Sequence, residues 1–208
     1  MKAAAALKER VDEAKREAYR AIVLEAAERV FAAAGYEGAR MQDIASEAGL
    51  ALATLYGAVG GKEALYGAIH EARGESLIAE AAAHSARARS PREALRLGVE
   101  AYVAFLAAHP DYLRIHLKES QPWALSPRFR TETQRRQWRQ GLELCVLVFR
   151  AGIADGTFVA EDPERMARLM IATHQVFLVD WVESGMREPI ASLVARMVAH
   201  LERAFLAA

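Results

Sequence analysis

The chain has 208 residues, 53% of them hydrophobic, with 27 Lys and Arg balanced by 27 Asp and Glu, and one cysteine. That length suits one mid-sized domain or a small domain fused to a larger one, with enough apolar residues for a sizeable core and no overall charge to attract nucleic acid. An internal disulfide is excluded, and so is a membrane span: the longest uncharged run, 48–61, contains four glycines and falls short of the roughly 20 apolar residues required.

The first seven residues are Ala-rich but lack the apolar stretch and cleavage site of a signal peptide, so the expected location is the cytoplasm. The following arm carries Lys2, Lys8, Arg10, Lys15, Arg16 and Arg20 among Glu9, Asp12, Glu13 and Glu17. It suits a helical extension or a phosphate-binding arm equally. Ile22, Ala26, Ala27, Val30, Phe31 and Ala34 then fall on one helical face, and Gly35 supplies a left-handed stop. Two short helices flank Ala48-Gly49-Leu50, and a longer one opens at Gly61-Lys62-Glu63, where Glu63 favours the positive helix end. Ser90-Pro91-Arg92-Glu93 combines a Ser cap, Pro at the first helical position and Glu at the third. His109-Pro110 closes that helix and opens a short one running through Lys118. Ser126-Pro127 opens a long helix to about Gly156, Asp162-Pro163 another to near Gly185, and Pro189 the last. No run alternates long enough to be a strand, and Gly156–Val159 reads as a loop. The expectation is an all-α protein of about nine helices: a three-helix head (1–60) with a helix-turn-helix, and a helical bundle (61–208).

The stretch Met41–Tyr56 carries the functional signal. Ile44, Ala48, Leu50 and Leu55 are spaced to converge beneath two crossed helices, with Ala45 small where the second helix approaches. Gly49 provides the positive φ of a sharp turn. The second helix then stands out from the body, placed to enter a major groove. With Thr54-Leu55-Tyr56 and the following Lys62, this pattern resembles the TetR family of repressors. The resemblance runs from Tyr19 to about Leu65 through Ala26-Ala27, Phe31, Gly35-Tyr36, Asp43-Ile44-Ala45, Ala48-Gly49-Leu50, Thr54-Leu55-Tyr56 and Lys62-Glu63-Ala64-Leu65. Chain length, helix number and the Ala151-Gly152 to Pro163 connection also fit.

The resemblance implies a homodimer whose two heads read a near-palindromic operator in double-stranded DNA, and a small effector that binds the body and releases it. Thr54 and Tyr56 would then face DNA, Tyr56 and Lys62 would reach phosphates, and Arg40, Gln42, Leu52 and Ala53 would complete the contact surface. The plain alternative is ordinary helix surface for Thr54 and Tyr56 and a solvated charge for Lys62. Arg40 and Ala51 stand where the family usually has capping or polar residues, and Ala58 and Val59 where it often has His and an aromatic. Counterion release must therefore come from Arg40, Lys62 and the N-terminal arm.

In the body, the last helix carries a stripe of Ile190, Leu193, Val194, Met197, Val198, Leu201 and Phe205, and the one before it Met166, Leu169, Met170, Thr173, Phe177 and Trp181. Paired across a dimer, they would form a four-helix seam through Leu169, Thr173, Trp181, Leu193, Met197 and Leu201, unless both stripes pack inside one protomer. Tyr102, Phe105, Leu106, His116, Trp123, Trp138, Cys145, His174 and Phe177 are the candidate lining of an apolar effector cavity, though each singly also suits plain core. They favour a hydrophobic or aromatic effector. Cys145, among Leu144, Val146 and Leu147, reads as a small buried hydrophobe before a redox sensor.

Catalytic constellations are absent from the sequence: no His-Glu-x-x-His, Cys-x-x-Cys or Gly-x-Ser-x-Gly occurs. Gly57–Lys62 is one residue short of a phosphate loop, with Glu63 where Ser or Thr is needed. Neither an enzyme, a metal site nor a cofactor is expected. The competing reading is a helical ligand- or protein-binding module that keeps the head's fold with weak or lost DNA affinity.

Overall fold

A computed structural model describes residues 2–118 and 131–207, with side chains from Glu17 onward. Nine α-helices run through the described residues: α1 (Lys2–Gly38), α2 (Met41–Glu47), α3 (Leu52–Val59), α4 (Lys62–Ser85), α5 (Pro91–Ala108), α6 (Pro110–Lys118), α7 (Glu132–Ala154), α8 (Pro163–Glu183) and α9 (Ile190–Phe205). They form two compact units, Met1–His70 and Glu71–Ala208, and the division falls within α4, beyond the Gly60-Gly61 punctuation. No helix of the described residues is long and apolar enough to cross a membrane.

In the first unit, the N-terminal arm is a helical extension, since its backbone continues α1 without a break. The regular helix gives way at Gly35, whose φ of 72° is open to glycine and strained for other residues. Val23, Ala26, Ala27 and Phe31 turn inward; Ile22 does not, remaining 48% exposed. The inward face meets Ile44, Ala45, Leu55, Leu65 and Tyr66, all buried. Small alanines let α1 lie close to α2 and α3, so a short segment encloses a real core.

In the second unit, caps set the helix starts. Ser90 Oγ accepts from Glu93 N (3.2 Å) and Asp162 Oδ1 from Arg165 N (2.7 Å), each ahead of a first-turn proline. Such caps contribute about 1 kcal/mol apiece. The Ser126-Pro127 start signal lies outside the described residues. Helix α7 begins later, at Glu132, on a reciprocal box in which Thr131 Oγ1 accepts from Gln134 N and Gln134 Oε1 from Thr131 N. After α7, Phe158 folds back onto Gly152, where no Cβ is in the way, and contacts Phe149. Val159 N donates to Phe205 O and Ala207 N to Thr157 O, which ties that loop to the end of α9.

Helix α9 corrects an expectation. Leu193, Met197 and Leu201 are wholly buried within this unit, as is most of Trp181, whose Nε1 donates to Glu188 O at 2.9 Å. The stripe packs against α5 and α8 of its own chain because it is continuous along the helix and α5 offers an equally apolar face. These four residues are core, unavailable to a partner. Among the described residues of this unit, the large apolar side chains left outside are Leu169 (51%) and Val176 (60%) on α8, Ile190 (41%) on α9 and Leu147 (52%) on α7.

Candidate functional site

The first unit presents α3 as a two-sided helix. Leu55 is fully buried against Ile44, while Ala53, Thr54 and Tyr56 point outward and Leu52 is half-buried. Between α2 and α3, Gly49 turns at φ 67°, with Leu50 N donating to Ala45 O at 2.9 Å. That is the tight corner a helix-turn-helix needs. Arg40 and Gln42 are exposed at the start of α2. Neither Arg40 nor Ala51 caps its helix with a side chain, so the leading N–H groups of α2 and α3 lack the oxygen that Ser or Thr would give. Arg29, by contrast, is paired with Glu47 at 2.6 Å.

Lys62 is engaged within its own unit. Its Nζ donates to Glu37 O at 3.3 Å and lies 4.6 Å from the centre of the Tyr36 ring. The ammonium is thereby held on the end of α1, a cation–π contact of about 0.5–1 kcal/mol. Tyr36 in turn contacts Tyr66 and Phe31, and Tyr66 contacts His70. In this unit Lys62 joins the start of α4 to an aromatic cluster.

In the second unit, four helices each bring one polar side chain to a common place. Tyr102 from α5 shares a 2.9 Å hydrogen bond with His116 Nε2 from α6 and stacks on His174 from α8 at 5.1 Å. Burial pushes the Tyr102 hydroxyl well above its ordinary range, and neighbouring Cys145 of α7 adds to the effect. The Cys145 thiol is itself pushed up to about 12 by burial, so it stays protonated at neutral pH. His174 is buried and neutral, its basicity lowered to about 4 by desolvation, and its Nε2 has no hydrogen-bond partner among the described residues. Phe105 and Leu106 are buried on α5, Phe105 lying against His109 just past the end of that helix. Trp138 is half-buried on α7, in step with Cys145.

Two expected lining residues are not brought to this cluster. Phe177 packs instead against α9, 5.2 Å from the Arg196 guanidinium and 5.7 Å from the His200 ring. Trp123 lies outside the described residues. No group of three or more His, Cys, Asp or Glu among the described residues could hold a metal ion.

Residues 23–69 match the model for bacterial regulatory proteins of the tetR family, and residues 88–204 match the tetracycline-repressor-like C-terminal domain. The chain belongs to the TetR family. It is a transcription regulator with a helix-turn-helix DNA-binding domain. No curated protein matches it. Solved structures share its fold. A tetR-family regulatory protein from Rhodococcus RHA1 is 25% identical, with 89% of this chain and 95% of that one covered and a TM-score of 0.75. The ketosteroid regulator KstR2 of Mycobacterium tuberculosis is 23% identical (91% and 95% covered, TM-score 0.76). FadR of Bacillus subtilis, solved with stearoyl-CoA, is 18% identical (86% and 96% covered, TM-score 0.75).

TetR regulators bind DNA, dimerise and bind small molecules. The row of exposed Leu169, half-buried Thr173 and exposed Val176 on α8 therefore carries weight, and Val176 was not among the residues expected there. Its signal was present: the three follow one another at four- and three-residue spacing, away from the buried line of Met166, Met170, His174 and Trp181.

Proposed function

We propose that this TetR regulator is a cytoplasmic, homodimeric repressor that leaves its operator when a small, mainly hydrophobic effector binds the body. The observation that carries the reading is the outward face of α3, where Ala53, Thr54 and Tyr56 stand exposed over buried Leu55. Each head, residues 1–60, supplies one such helix to half of a near-palindromic site. Thr54 and Ala53 meet base edges, with Leu52 at the margin, and Tyr56, Arg40 and Gln42 fix the register on the backbone. Lys62 contributes to the phosphate field from its place on Tyr36.

The body, residues 61–208, takes the effector at Tyr102, His116, Cys145 and His174, with Phe105, Leu106 and Trp138 around them. Leu169, Thr173 and Val176 belong to the dimer seam. Two structural relatives, a ketosteroid regulator and a protein solved with stearoyl-CoA, support a hydrophobic effector. Bound effector biases the helix that begins at Lys62 and moves the two heads off a spacing of one DNA turn, about 34–36 Å. No residue is assigned a catalytic role.

The test is an operator shift. DNA selected from random duplexes should bind two protomers per site by analytical ultracentrifugation, and a bound effector should lower that affinity. An effector that binds tightly yet leaves operator affinity unchanged would defeat the allosteric part. Failure to enrich any DNA would leave a helical ligand- or protein-binding module, a reading favoured by the absence of charge from α3.

A further inference from the structure

Among the described residues of the second unit, the buried polar side chains are Gln134, Gln137 and His174, none of which carries charge at neutral pH. Its described acids and bases lie at or near the surface, several of them in ion pairs such as Arg92–Glu202 and Arg196–Glu188. A charged group drawn in beside His174 would lose its water and, among the described residues, meet no buried opposite charge, which is strongly unfavourable. Phe105, Leu106, Val103, Ile115 and Leu178 on the same helices are buried and apolar.

One buried hydrogen-bonding atom of this cluster bears directly on the ligand. His174 Nε2 is buried with no partner among the described residues, while Tyr102 stacks on the ring beside it. Tyr102's own hydroxyl is already engaged with His116. A buried polar atom left in that state needs a partner, and a ligand group can supply one. Neutral histidine nitrogen acts as donor or acceptor according to tautomer, and a hydroxyl satisfies both cases.

We infer that the Tyr102–His116–His174 cluster selects an uncharged, mainly apolar effector through one hydroxyl or carbonyl group hydrogen-bonded to His174. This rests on the effector-responsive reading and names the ligand class. A carboxylate, a phosphate or an ammonium group is excluded from the cluster itself, whatever it does elsewhere on a longer molecule.

Isothermal titration of the full chain with 1-octanol, 2-octanone and octanoate at neutral pH tests it, with operator release recorded in parallel. Octanol or octanone should bind at least about tenfold more tightly than octanoate. His174→Phe should remove that preference, and His174→Gln, which keeps a polar group, should retain part of it; thermal melts establish that both variants fold. Equal or tighter octanoate binding, no binding of either uncharged probe, or an unchanged preference in folded His174→Phe would each overturn the inference. Preferential octanol binding without DNA release would leave the inference standing and defeat the repressor reading. Octanoate-driven release would do the reverse.

Discussion

The two units handle polarity in opposite ways. The head buries Ile44, Leu55, Leu65 and Tyr66 and holds Thr54, Tyr56 and Arg40 outside, where a partner surface can meet them. The body leaves Leu169, Val176 and Ile190 exposed and takes His174 inside, with Tyr102 and His116 against it. A groove of DNA is too large to enclose, so recognition must be mounted on a surface. A small molecule is read best where water is absent and each hydrogen bond counts more. The difference also predicts how each unit fails. Head variants should change binding at constant stability, and body variants should change stability first.

The largest expected effect is on the pH dependence of the body. The folded His174 value, about 4, lies below its ordinary 6.5. Above pH 6.5 the group is neutral in both folded and unfolded chains and contributes no pH dependence. As pH falls through 6.5 the unfolded chain gains a proton that the folded one resists, so stability drops and levels off below pH 4. The loss is on the order of 3 kcal/mol. Urea titrations from neutral to acid pH should show this slope in the native chain and not in His174→Phe; equal slopes would remove His174 from the contrast.

Next comes Gly152→Ala. A Cβ there would overlap the Phe158 ring, which is pinned between Phe149 and the tie to the end of α9. Overpacking of this kind costs about 1–3 kcal/mol. Chemical denaturation should register it, while DNA affinity of the folded fraction stays unchanged.

Tyr56→Ala makes the opposite split: about tenfold weaker DNA binding by fluorescence anisotropy, with an unaltered melting temperature, since the ring is 49% exposed. A lower melting temperature would make Tyr56 part of the head's packing.

The smallest and sharpest effect separates two cations. Arg40→Ala should reduce the slope of log affinity against log salt by about 0.9, as expected for one lost phosphate contact. Lys62→Ala should change it less, because that ammonium is already committed to Glu37 O and the Tyr36 ring. Equal slope changes would mean that Lys62 leaves Tyr36 when DNA arrives.

The head was readable in the sequence because its determinants are local. Gly35 and Gly49 sit where positive φ is required, and Ile44 and Leu55 are close enough in the chain for their spacing to define a shared core. In the body the Ser90 and Asp162 caps were equally legible, each residing within four residues. Long-range choices were not. Periodicity identified the α9 stripe without saying whose helices would cover it, and Leu193, Met197 and Leu201 turned toward α5 and α8 of the same chain. Phe177 and His174 looked equivalent as aromatic neighbours on one helix, yet a three-residue offset sends them to different surroundings. The Lys62–Tyr36 contact joins residues 26 positions apart, and nothing in a helix-start lysine forecasts it.

The central division, with recognition outside in the head and inside in the body, is tested most directly by binding purified protein to random duplex DNA, sequencing the retained pool and titrating the winner across salt. The predicted result is a near-palindromic site whose affinity falls by at least about tenfold between roughly 50 and 200 mM salt. No enriched sequence at low salt, or binding indifferent to salt, would contradict it.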